Sequence, residues 1–193
     1  MPRMDDYNQA LALVKGQLAE KNPDHVARVS GAEMIRDKGG PAALSLVFLN
    51  QEMRMSWPDL KVLFGKSGEE IPVQQQILLL HYLHGAWSSN GAEPTGEWIS
   101  FQEVPDGRFY LDAFHRRAKN PLVQAFDQGD ASVLVRALPR INVALILWEG
   151  DEEFPPEGNI LFDRNIIQIL SAEDIAWLAG MVVYPLIGMA RQK

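Results

Sequence analysis

Cysteine is absent from this chain of 193 residues. The chain therefore has no disulfide, no thiolate ligand for zinc or an iron–sulfur cluster, and no cysteine nucleophile. A chain of this length buries enough apolar surface on folding to be stable without such cross-links. We expect a single domain over residues 1–193.

Long apolar runs and a surplus of basic residues are also missing. The longest apolar region, 175–189, is interrupted by Gly180, Pro185 and Gly188 and is too short to span a bilayer. The first residues lack the apolar run of a signal peptide, which predicts a cytoplasmic protein with no membrane partner. The net charge is −7, from 18 basic and 25 acidic residues, and it disfavours nucleic acid as a partner.

Hydrophobic spacing predicts helices toward both ends of the chain and strands between them. The predicted helices cover residues 5–22, 25–29, 72–87, 109–119, 122–126, 131–138 and 171–191. The predicted strands cover residues 43–49, 52–57, 97–104, 141–148 and 159–163. No βαβ pattern recurs, which favours an α+β fold with a mostly antiparallel central sheet covered by helices, including the N-terminal and C-terminal helices.

Basic residues are missing altogether from residues 141–163, where six carboxylates lie. These are Glu149, Asp151, Glu152, Glu153, Glu157 and Asp163. Carboxylates held close together repel one another, and water, a cation or neighbouring arginines can relieve that cost. The segment is therefore a solvated hairpin loop, a site for a hard cation or cationic ligand, or a partner of Arg108, Arg116 and Arg117. Its spacing does not match the twelve-residue calcium-binding loop.

His81 and His84 are three residues apart on the predicted 72–87 helix, so they share a face. With a third ligand such as Asp151 or Asp163, the pair could hold a transition metal. His84 also continues the apolar stripe of the helix, which favours a hydrogen-bonded histidine in the core. No HExxH, GxSxG, P-loop or GxGxxG motif marks an active site, and the residues specify no cofactor.

Aromatic residues are densest just before residue 115, in the set Trp98, Phe101, Phe109, Tyr110 and Phe114. Such residues are more often core than ligand site. An aromatic-walled pocket near Arg116 is the alternative, and it would suit a planar ligand.

A family of uncharacterised proteins from anaerobic bacteria and archaea is similar to this chain over most of residues 5–190. The resemblance rests on the blocks QQQILLLHYLHGA (74–86), EWISFQEVPDGRFYLDAFHRR (97–117), ALILWEGDEEFPPEGNILFD (144–163) and SAED (171–174). Some members of that family are associated with four-iron–four-sulfur cluster domains, which this chain cannot ligate without cysteine. The resemblance implies a setting in anaerobic metabolism beside a redox or corrinoid partner, and it supplies no mechanism.

The first hypothesis is a ligand- or partner-binding module, accessory to anaerobic or redox metabolism, that binds a small molecule or a redox-partner protein. Its candidate ligand residues lie in the family blocks, several of them beside the ends of predicted strands. They are Glu97, Arg116, Asp151, Glu152, Glu153 and Asp163. The alternatives are a metal-assisted, hydrolase-like enzyme that uses His81, His84 and the acidic segment 149–163, and a structural or homodimerisation domain.

Overall fold

The computed structural model describes residues 4–36, 41–125 and 131–190. Contacts divide the chain into two compact units, which we call unit 1 (residues 1–93 and 138–140) and unit 2 (residues 94–137 and 141–193). Each unit combines helices with a four-stranded antiparallel sheet, which confirms the predicted α+β class. The single domain expected over residues 1–193 stays a prediction. Within the described ranges, no helix is long and apolar enough to cross a bilayer.

Unit 1 contains three helices and one sheet. The helices are α1 (Met4–Ala19), α2 (Pro23–Ser30) and α3 (Val73–Ser88), and the strands are β1 (Glu33–Arg36), β2 (Ala42–Phe48), β3 (Gln51–Ser56) and β4 (Val62–Phe64). The strands follow one another in the order β1-β2-β3-β4. The strands predicted over residues 43–49 and 52–57 are β2 and β3, which form an antiparallel hairpin with Met53 and Met55 of β3 buried opposite Leu46 and Leu44 of β2. Both α1 and α2 pack on α3.

The buried Tyr82 joins distant parts of unit 1 from its position on α3. Its hydroxyl donates to the carbonyl oxygen of Ser30, the last residue of α2. The same hydroxyl accepts from the backbone N–H of Arg140 at 3.2 Å. Tyr82 therefore satisfies two backbone groups that lie far apart in the sequence.

Unit 2 contains the second sheet, in the order β5-β8-β7-β6, and the helices that cover it. The strands are β5 (Trp98–Ser100), β6 (Ala131–Leu138, of which Leu138 is assigned to unit 1), β7 (Ile141–Trp148) and β8 (Glu157–Asp163). The helices are α4 (Gly107–Phe114), α5 (Asn120–Ala125), α6 (Ile166–Ile169) and α7 (Ala172–Ala190), with a π-helical turn over His115–Lys119. The strand predicted over residues 141–148 is β7, an inner strand of this sheet, and its Val143 and Leu145 are buried opposite Phe162 and Ile160 of β8.

Two predicted elements of unit 2 differ from the structure. The helix predicted over residues 131–138 is wrong, because this segment is the strand β6, paired with β7 across a turn at 139–140. The strand predicted over residues 97–104 is β5 for only three residues and continues as a 3₁₀ turn. The strand ends where Glu103 folds back and accepts from the backbone N–H of Ser100 at 2.8 Å and from its hydroxyl at 2.9 Å.

Candidate functional site

Asp163, a predicted ligand residue, ends β8 and is only 1% exposed. One carboxylate oxygen accepts from the backbone N–H of Thr95 at 2.9 Å, from its hydroxyl at 3.0 Å, and from the N–H of Asn165 at 3.2 Å. The other oxygen accepts from the N–H of Gly96 at 2.8 Å. Burial alone would raise the pKa of Asp163, but these four bonds to the charged form hold it below its ordinary value. The carboxylate fastens residues 95–96 to the end of β8.

The predicted acidic segment forms the loop over residues 149–156, between β7 and β8. Asp151 Oδ1 accepts from the backbone N–H of Phe154 at 2.7 Å and of Glu153 at 2.8 Å, and both bonds lower the pKa of Asp151. The N–H of Asp151 donates to the Phe154 carbonyl at 2.9 Å. Residues 151–156 are all exposed. This geometry favours the solvated hairpin among the three alternatives.

Strand β8 separates this loop from Asp163. Its first residue, Glu157, adjoins the loop and lies 3.9 Å from Lys119 Nζ, whereas its last residue, Asp163, is opposite Trp98 of β5. Seven residues of extended chain span roughly 20 Å. The loop carboxylates therefore do not form one cluster with Asp163.

Glu97 and Arg116, the other two predicted ligand residues, occupy different parts of unit 2. Glu97 precedes β5 at the Asp163 end of the sheet, where its carboxylate pairs with Arg164 Nε at 2.8 Å and its carbonyl accepts from the Arg164 N–H. Arg116 is exposed and donates from Nε to the Asp112 carbonyl of α4 at 3.2 Å. Glu97 and Asp163 thus share one end of the sheet, and Arg116 belongs to the helical part.

His81 and His84 lie one turn apart on α3, and both are half-buried. Burial lowers the pKa of His84, and the electrostatic effects of the nearby Lys21 and His81 lower it further. Its ring lies 6.5 Å from the ring of Trp87. Over residues 4–36, 41–125 and 131–190, no group of three or more His, Cys, Asp or Glu side chains is placed to hold a metal ion. The arrangement favours a packed, neutral His84.

A surface cleft of about 660 Å³ lies in unit 2, where the start of α4 meets α6 and the start of α7. Its lining has a buried apolar floor, aromatic and aliphatic walls, and an exposed, mostly polar rim. The floor is Val104, Leu170 and Ala172; the walls are Phe109, Tyr110 and Ile167; the rim is Pro105, Asp106, Ser171 and Glu173. Two members of the predicted aromatic set, Phe109 and Tyr110, line the cleft. Phe101 and Phe114 are instead buried and stack on each other, with their ring centroids 4.3 Å apart.

The charge of the cleft is negative at the rim. Asp106 and Glu173 are both exposed, and the described residues that line the cleft include no Lys or Arg. Asp106 has a φ of 61° and makes no side-chain bond to cap α4, so its carboxylate is not used by that helix. Arg108 sits with its guanidinium carbon 4.7 Å from the centroid of Phe109, so this ring already contacts a cation.

The aromatic-walled pocket offered as an alternative by the sequence includes Phe109 and Tyr110, which line the cleft, but Arg116 is not among the lining residues, and the sequence did not indicate the half of the cleft that α7 supplies. Glu173 and Leu170 come from a segment far along the chain, and only the packing of α4 against α7 brings them beside Phe109. The density of aromatic residues before residue 115 and the SAED block at residues 171–174 are the signals that the sequence contains, and neither indicates the other.

Comparison with known proteins gives a family and no activity. No curated protein and no solved structure matches the chain. A family model described as a domain of unknown function (DUF3786) matches residues 22–129 and 127–184. The matched residues include the whole cleft, the acidic loop and β8. The chain therefore belongs to the DUF3786 family, a domain of unknown function.

Proposed function

We propose that this chain is a binding module that holds a small organic cation in the cleft of unit 2. The single observation that carries the proposal is the lining of that cleft, which joins two aromatic rings and two carboxylates above an apolar floor. The physiological setting we propose is the anaerobic or redox metabolism implied by the family resemblance. The cleft volume of about 660 Å³ lies within the range typical of small-molecule sites.

The aromatic rings and the carboxylates of the lining both favour a positively charged ligand. The faces of Tyr110, and the face of Phe109 that Arg108 leaves uncovered, attract ammonium and guanidinium groups. The carboxylates of Asp106 and Glu173 add a net charge of the opposite sign, and the chain as a whole carries −7. The apolar floor supplies area that binds the hydrocarbon part of such a ligand.

The start of α7 also borders the cleft, and a helix N-terminus by itself favours anions. Acidic side chains in the first turn of α7 already balance the partial positive charge at this helix end. Ser171 accepts from the backbone N–H of Asp174 at 3.2 Å, its hydroxyl donates to the Asp174 carboxylate at 2.7 Å, and Glu173 adds a second acid to the first turn. The balance at this rim therefore favours a cation.

The test is calorimetric titration with benzyltrimethylammonium, with benzenesulfonate as the anionic counterpart. We expect the cation to bind and the anion not to bind. Phe109→Ala should weaken binding about two- to fivefold, which is the equivalent of an exposed cation–π contact. Glu173→Gln removes a carboxylate from the rim and should also weaken binding.

Phe154→Ala is the matched control, because Phe154 is 66% exposed in the acidic loop and Phe109 is 69% exposed at the cleft. Binding that is lost in Phe154→Ala and kept in Phe109→Ala would move the site to the acidic loop. Equal binding of the anion and the cation would remove the electrostatic basis of the proposal.

A further inference from the structure

The edge strands of the two sheets differ sharply in length. The edges are β1, β4, β5 and β6, with four, three, three and eight residues. A short edge offers few unpaired backbone groups to another chain, and this is a common protection against association. Strand β6 lacks that protection. It also contains no Pro, Gly or Lys, and its Leu134 is 65% exposed.

The sequence of β6 is nearly symmetrical about Leu134. Residues 131–137 read Ala-Ser-Val-Leu-Val-Arg-Ala. When two copies pair antiparallel in this register, each position meets one of similar or compatible chemistry. The pairs are Leu134 with Leu134, Val133 with Val135, Ser132 with Arg136, and Ala131 with Ala137.

We propose that β6 pairs antiparallel with β6 of a second copy around a twofold axis at Leu134. The pairing joins the two unit 2 sheets into one continuous sheet of eight strands, four from each copy. It pairs backbone N–H and C=O groups along the edge at which β6 ends the described sheet, in roughly six to eight hydrogen bonds. It does not involve the cleft, so it is independent of the proposed function.

The symmetry of β6 identifies the partner as a second copy rather than a foreign strand. A twofold interface uses the same patch on both subunits, so its strand must be complementary to its own reverse. Opposed β-branched pairs and small pairs pack well across antiparallel strands. The two Arg136 side chains lie about four residues apart along the pairing, roughly 13 Å, which exceeds the screening length at physiological ionic strength.

The paired segment of seven residues is about 20 Å long, which gives an interface at the small end of specific contacts. We therefore expect a dissociation constant in the micromolar range. Sedimentation equilibrium at about 100 µM protein should give a mass near 43.2 kDa, twice the 21.6 kDa of one chain. A mass of 21.6 kDa at that concentration overturns the proposal.

The decisive variants act at the twofold axis. Leu134→Lys and Leu134→Glu each place two like charges directly opposite one another, and we expect each variant alone to be monomeric. An equimolar mixture of the two variants places a lysine opposite a glutamate and should restore a dimer. Recovery in the mixture also shows that both variants are folded. If the mixture stays monomeric while each variant alone melts cooperatively, the register at Leu134 is wrong and the proposal fails.

Leu13→Lys is the matched control, because Leu13 of α1 has the same 65% exposure as Leu134. It changes the net charge by the same amount and should leave the dimer intact. Dissociation of the Leu13→Lys variant would show that overall charge, or another surface, governs association, and would overturn the assignment to β6.

Discussion

Replacement of Asp163 is expected to destabilise unit 2 strongly. Asp163→Ala removes the acceptor for the N–H groups of Thr95, Gly96 and Asn165 and for the Thr95 hydroxyl. A hydrogen bond to a charged group contributes about 1.5–3 kcal/mol, but such contributions do not add, and water reaches the exposed Thr95 and Gly96. We expect a loss of about 3–5 kcal/mol in the free energy of unfolding for Asp163→Ala. Asp163→Asn keeps one acceptor oxygen and should lose about half as much.

The pH dependence has a definite sign. The hydrogen bonds lower the pKa of Asp163 in the folded state below its value of about 3.9 in the unfolded chain. The stabilisation is therefore complete above the unfolded pKa and is lost as the pH falls through the folded pKa. The difference in unfolding free energy between wild type and Asp163→Asn should be constant from about pH 7 to pH 5 and should shrink below about pH 4.

Urea unfolding followed by tryptophan fluorescence measures both effects, since Trp98 is directly opposite Asp163 in the sheet. Glu97→Gln is the control, because it removes a neighbouring exposed carboxylate and its ion pair with Arg164, and should change the free energy by less than about 1 kcal/mol. The reasoning is refuted if Asp163→Ala costs no more than Glu97→Gln, or if the gap between wild type and Asp163→Asn widens in acid.

Four further expectations concern the rest of the chain. Tyr82→Phe should cost about 1–3 kcal/mol in urea unfolding, because the buried hydroxyl serves the backbone of both Ser30 and Arg140; a change below about 0.5 kcal/mol contradicts that role. Burial lowers the pKa of His84, so stability should fall as the pH drops below the unfolded value of about 6.5, and His84→Gln should flatten thermal stability measured between pH 7 and pH 5. Equimolar zinc should leave the melting temperature unchanged, whereas a rise that His81→Ala abolishes would support the metal-assisted alternative. If residues 1–193 are one domain, two variants that each keep a single tryptophan, one variant in unit 1 and the other in unit 2, should show the same unfolding midpoint.

Local patterns in the sequence were enough for much of the fold. Alternation of Met53 and Met55 with polar residues predicts β3, and the apolar run over residues 141–148 predicts the central strand β7. Strand β6 was misread, because a short segment with two valines and two alanines has no decisive period. Its conformation follows from pairing with β7, which is a tertiary contact.

The candidate site was less accessible to sequence reasoning, for two physical reasons. Asp163 is bound by backbone N–H groups of residues 95, 96 and 165, and backbone donors leave no signature in residue types. The cleft joins Phe109 to Glu173 through helix packing, so its two halves carry no common spacing along the chain. Residue chemistry indicates the acidic segment and the aromatic set, and packing decides which of these residues border a cavity.

In the acidic loop, the groups that form the turn are different from the exposed glutamate side chains that add negative charge. Its turn is closed by the Asp151 carboxylate and by backbone groups of residues 151, 153 and 154, whereas the side chains of Glu152 and Glu153 are exposed outside that pattern. Replacing these two glutamates by lysine would change the net charge from −7 to −3, two units for each substitution, without touching the bonds that form the turn. The colloidal behaviour of the protein, including its solubility near the isoelectric point of 5.1, is therefore adjustable at this loop independently of the fold.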